Sequence, residues 1–215
     1  MIFDADLHVA AWTVVAGSIL FFVGAGAAPE PSRVFTGDRD LYLDVLHRRE
    51  WRWRAMTVLM VAGVVLTAAG LVALGQVWSQ PFGIGATSFA IGAALGVIFL
   101  VTRAMIDVDV AHLAAAGGPV PDDFARWQRF TGVCFTTYLL LAYAATLLVG
   151  IAVIARASAP RFAGWFAVIF GGVAFVANVT GWPRTERFGA VFEPPFMVHI
   201  PPLILGISLL RWHPS

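Results

Sequence analysis

The sequence predicts an all-α integral membrane protein: a six-transmembrane-helix bundle with a short amphipathic cytoplasmic helix between spans one and two. Three observations predict it. Of the 215 residues, 59% are hydrophobic and only 13% are charged, about half the charged share of a soluble domain. Six apolar stretches approach the roughly 20 residues needed to cross about 30 Å of hydrocarbon. The 14 basic residues are all arginine, and they gather on alternate loops.

The first span covers about Val9 to Ala28, with only Thr13 and Ser18 as mild polar residues. Its leader is acidic, through Asp4 and Asp6, where a cleaved signal segment would be basic. It therefore reads as a retained span. The second runs from about Ala55 to Leu74, the third from Ile84 to Thr102 and the fourth from Phe130 to Ala155. The fifth covers Gly164 to Thr180, and the sixth lies within Phe188 to Leu210, from Phe196 onward. Residues 1–215 form a single polytopic membrane domain, with no length left for a soluble catalytic or nucleic-acid-binding module.

Arginine placement sets the expected orientation. The loops after spans one, three and five share a side and carry eleven arginines; the other side carries Arg156, Arg161 and Arg211. Positive charge is retained in the cytoplasm, so both termini are expected to be extracytoplasmic in a cell inner membrane. The lysine-free, alanine-rich composition suggests a bacterial source.

In the first loop the pattern turns helical from Asp38. Tyr42, Leu46, Arg49 and Trp53 recur at helical spacing, and Asp44–Arg48 and Glu50–Arg54 stand in the favourable order for ion pairs. Trp51 and Trp53 among arginines resemble an interfacial anchor. Arg48, Arg49, Arg52 and Arg54 suit an anionic lipid headgroup, although a basic collar that fixes orientation explains the same residues. Beyond Arg103, Ile106, Val110 and Leu113 continue an apolar face while Asp107, Asp109 and His112 lie off it. Gly117-Gly118-Pro119 ends that helix, and Pro121-Asp122-Asp123 opens the next.

Small residues stripe two spans: Ser88, Gly92 and Gly96 in the third, and Gly164, Ala167, Gly171, Ala174 and Asn178 in the fifth. Such stripes let helix backbones approach, either within one bundle or at an interface with a second copy or a partner subunit.

Several chemistries are excluded. Without lysine there is no P-loop lysine or Schiff base. The single Cys134 makes no disulfide or Cys-x-x-Cys pair. No His-Glu-x-x-His motif occurs, and the five histidines do not supply a transmembrane haem pair, so no metal or cofactor is expected.

The last segment concentrates the ionisable groups near hydrocarbon. Glu193 precedes one proline pair, and His199 precedes Pro201-Pro202, which are expected to break the hydrogen-bond ladder of span six. Broken helices at membrane depth often build sites. Glu193 and His199 are therefore candidate acid–base residues, with Asn178, Arg184, Arg103 and Asp107 as candidate substrate-binding residues. A helix cap at Glu193 and a hydrogen-bonded His199 would account for the same pattern. The expected function is a small bacterial structural or accessory membrane component. A membrane enzyme acting on a lipid or isoprenoid substrate, such as an acid-catalysed cyclase, is the alternative, and a small transporter is the second.

Overall fold

The computed structural model describes residues 2–30, 38–78, 80–156, 160–180 and 195–212. Eight α-helices run through them: α1 (Ile2–Gly26), α2 (Arg39–Arg48), α3 (Glu50–Val77), α4 (Gln80–Thr102), α5 (Val108–Ala115), α6 (Phe124–Ala155), α7 (Arg161–Thr180) and α8 (Ile200–Leu210). A π-helical turn, Arg103–Asp107, joins α4 to α5, and a 3₁₀ turn, Pro195–His199, leads into α8. Five helical segments are long and apolar enough to cross a membrane. Within the sixth expected stretch, the described residues form a shorter apolar segment, Met197–Leu210. At 1.5 Å per residue, the 11 residues of α8 cover only about 17 Å.

Pro201 and Pro202 explain where α8 begins. They occupy its first turn, where the missing backbone N–H groups would have no intrahelical partner in any case. At this point the 3₁₀ turn gives way to α-helix.

The helices pack in a circuit. α1 lies against α3, α3 against α4, α4 against α6, α6 against α7, and α8 closes the ring against α7 and α1. Glycines set the spacing. A Cβ on Gly63 would stand 2.5 Å from the Phe21 nitrogen and 2.7 Å from the Gly17 oxygen; one on Gly17 would stand 2.5 Å from the Thr67 nitrogen. Only glycine permits backbones so close. Gly85 and Gly92 admit α6 to α4, while Gly150, Gly164 and Gly171 bring α6 and α7 together. The glycines of both expected stripes thus face neighbours within the chain.

Gly63→Ala is expected to lower stability by up to about 2 kcal/mol. A clash of about 1–3 kcal/mol against rigid backbone is partly offset by alanine's helix preference of about 1 kcal/mol. Gly132 has nothing within 4 Å of a built Cβ, so Gly132→Ala should leave the unfolding midpoint level or higher. Thermal unfolding of both variants in one detergent checks the contrast.

At one end of the bundle α2 packs on α5. Tyr42, Leu43, Val45 and Leu46 are buried, and Asp38 caps the helix by accepting from the Asp40 and Leu41 amides. The helix breaks at Arg49, with φ −124° and ψ 28°, so the expected run from Tyr42 to Trp53 is not one helix. After the break Trp51 is exposed, whereas Trp53 is buried and meets Tyr42 edge-on. Trp53 is therefore core rather than an interfacial anchor.

The π turn adds a residue to the helical repeat and rotates the helix beyond it. Asp107, Val110 and Ala111 turn inward, and Leu113, expected on the apolar face, is exposed. Gly117 then takes a left-handed φ of 76°, and the Gly118 amide donates to the Leu113 carbonyl, ending α5 as expected. At the opposite end of the bundle, the Arg156 guanidinium lies 5.1 Å from the Trp78 ring centroid and 5.6 Å from that of Trp212. This cation–π clasp ties the ends of α3, α6 and α8 together.

Candidate functional site

His199 lies inside the helical circuit and is fully buried. It ends the 3₁₀ turn, just before the proline pair fixes the start of α8. Four helices supply its surroundings. Phe21 of α1 stacks on the imidazole at 4.0 Å between centroids, and Phe89 of α4 meets it edge-on at 6.0 Å. Thr67 Oγ1 of α3 is 3.3 Å from Nδ1, and the Tyr138 hydroxyl of α6 is 3.1 Å from Nε2.

The hydroxyl geometry assigns the tautomer. Thr67 donates its only hydroxyl proton to the Gly63 carbonyl at 2.8 Å. Its oxygen is then an acceptor, so His199 donates through Nδ1–H. In the neutral ring Nε2 is left with its lone pair and accepts from Tyr138. Both imidazole nitrogens are engaged. To ligate a metal or remove a substrate proton it would first have to release one of these partners. Beside it, a small cavity is lined by Leu71, Phe89, Thr146, Pro202 and Leu205 among others. The space is close to one water and its wall is almost wholly apolar.

Arg103 and Asp107 form a separate cluster with Tyr42. Asp107 Oδ2 accepts from the Tyr42 hydroxyl at 2.5 Å and from Arg103 Nε at 2.8 Å. The Arg103 guanidinium also lies 4.9 Å from the Tyr42 ring centroid and 5.5 Å from that of Phe99. Burial is the main cause that raises the Tyr42 pKa, despite the opposing charge of Arg103. The phenol therefore keeps its proton and acts as the donor. The cluster pins α2 against the π turn.

Asn178, on α7, donates to the Ala174 carbonyl of its own helix at 2.8 Å. Glu193 and Arg184 lie outside the described residues. Of the expected site residues, the structure thus brings together Arg103 and Asp107, and it gives His199 different partners. Of the proposed headgroup arginines, Arg48 pairs with Asp44 at 2.6 Å, Arg49 approaches Glu30 at 3.7 Å and Arg54 pairs with Glu50 at 2.7 Å. Both expected i,i+4 pairs are present, and three of the four arginines already face a carboxylate.

Sequence reasoning missed Tyr42, Thr67 and Tyr138. For the two tyrosines the signal was available: the chain has only three, and a buried phenol needs a partner for its hydroxyl. All three are buried.

Comparison with protein-family models, with curated proteins and with solved structures gave no match.

Proposed function

We propose that the chain is a six-crossing structural or accessory component of a membrane assembly. Its arginine-rich end is cytoplasmic, and both termini lie outside the inner membrane. The observation that supports this reading is the engaged interior: a helical circuit drawn tight by glycine contacts around a histidine whose two nitrogens bond Thr67 and Tyr138. The arginine distribution gives the orientation, and the self-paired collar at Arg48, Arg49 and Arg54 serves to hold it.

The test is native mass spectrometry after detergent-free extraction from the native membrane. The expected result is a complex heavier than one 23.1 kDa chain and containing a second kind of subunit. A single-chain mass, together with solute or proton flux in proteoliposomes that His199→Ala abolishes, would replace this reading with that of a carrier. Two observations favour the carrier as second choice. α8 starts inside the bundle beside a buried imidazole, as broken helices of transporters do. Ser18 Oγ, one turn from Phe21, is buried without a hydrogen-bond partner among the described residues.

Orientation is checked separately. In a Cys134→Ser background, a cysteine at the exposed Trp51 should resist an impermeant maleimide added to intact cells and react after lysis. Labelling of intact cells would invert the topology.

A further inference from the structure

A third polar cluster joins α2 to α5 at the arginine-rich end. His47, in the last turn of α2, and His112, on α5, approach with their Nδ1 atoms 3.0 Å apart and their rings at 83°. Behind His112, Nε2 lies 2.8 Å from Glu50 Oε2, and the other Glu50 oxygen accepts from Arg54 Nε at 2.7 Å.

Proton placement gives the cluster its chemistry. A carboxylate accepts, so the His112 proton is on Nε2. In the neutral ring Nδ1 then carries a lone pair, and it faces His47. His47 can fill the gap with an Nδ1 proton, or carry that proton on Nε2 and present a second lone pair. Two imidazole nitrogens bound to one metal at about 2.0–2.1 Å stand roughly 2.9–3.4 Å apart, as the angle between them opens from square to tetrahedral. The observed 3.0 Å falls within that span. A carboxylate on the far nitrogen orients a metal-binding histidine and raises its basicity. The His112 side chain is 46% exposed, which leaves room for a hydrated ion to enter.

We propose that His47 and His112 form a two-imidazole site for a divalent transition metal ion, with Glu50 as the orienting carboxylate and water completing the coordination. Imidazole nitrogen selects the copper, nickel and zinc class over magnesium or calcium. A bound ion would cross-link α2 to the helix that extends α4.

The test uses the full chain, free of any tag, in detergent and stripped of metal. Cu²⁺ and Ni²⁺ are titrated by calorimetry, and the Cu²⁺ complex is read by electron paramagnetic resonance. One equivalent should bind, with hyperfine structure from two nitrogens. His47→Ala and His112→Ala should each weaken binding at least tenfold. Glu50→Gln should weaken it about 10–100-fold, and His8→Ala should leave it unchanged. Binding that survives both histidine substitutions, or that His8→Ala abolishes, overturns the assignment. A spectrum from the unmutated protein with fewer than two nitrogens overturns it without any variant having to fold.

Discussion

Replacing Asp107 with alanine is expected to destabilise the purified protein by about 3 kcal/mol, the range for removing one partner of a buried ion pair. Two donors converge on this carboxylate, the Tyr42 hydroxyl and Arg103 Nε. The Asp107 side chain is 6% exposed and that of Arg103 is 28% exposed. Without the aspartate, the guanidinium stays lodged over the Tyr42 and Phe99 rings with no counter-charge, and the phenol loses its acceptor. Asp107→Asn keeps an oxygen for Tyr42 and should cost about half as much. Tyr42→Phe removes one hydrogen bond and should cost about 1 kcal/mol. Denaturation midpoints in a common detergent order the three. If Asp107→Ala costs no more than Tyr42→Phe, the carboxylate does not hold the cluster.

His199→Ala is the second large effect, again about 3 kcal/mol, within the usual range for emptying a packed core position. The substitution removes the ring stacked on Phe21 and leaves the Thr67 oxygen and the Tyr138 hydroxyl without their shared partner. Tyr138→Phe and Thr67→Val should each cost much less, about 0.6 kcal/mol, the average for a hydrogen bond between membrane helices. The gap between His199→Ala and these two separates packing from polar contact. Equal losses in all three would mean that the hydrogen bonds dominate and that the ring's volume contributes little.

The spans were legible because apolar length is a one-dimensional property: α1, α3, α4, α6 and α7 lie where their hydrophobic runs lie. The end of α5 was legible for the same local reason, since Gly117 and Gly118 act within a turn of themselves. Pairing across the bundle was not. His199 bonds Thr67 and Tyr138, 132 and 61 positions away, and helix rotation decides which residue of a span turns inward. Rotation also explains Asp107. Its burial depends on the π turn, which adds one residue to the repeat and leaves no compositional mark. The α1–α3 contact did leave one: Gly17 and Gly24, and Gly63 and Gly70, are each seven apart, two helical turns. The stripes on α4 and α7 stand out by their shorter spacing, and this longer one does not.

The ring has an implication for how the protein is made. Its closing contact sets Gly206 against Val15 and Ala11, far apart in the sequence, and the Arg156 clasp needs Trp212, beyond α8. Non-local contacts of this kind form late, because the entropy of bringing the ends together is lost before the contact repays it. During synthesis α1 and α3 can dock as soon as both are inserted, while Thr67 and Tyr138 wait for a histidine not yet translated. Docking of α8 therefore closes the ring after the earlier helices have met, and a ribosome stalled before Pro195 would hold an open, protease-sensitive bundle.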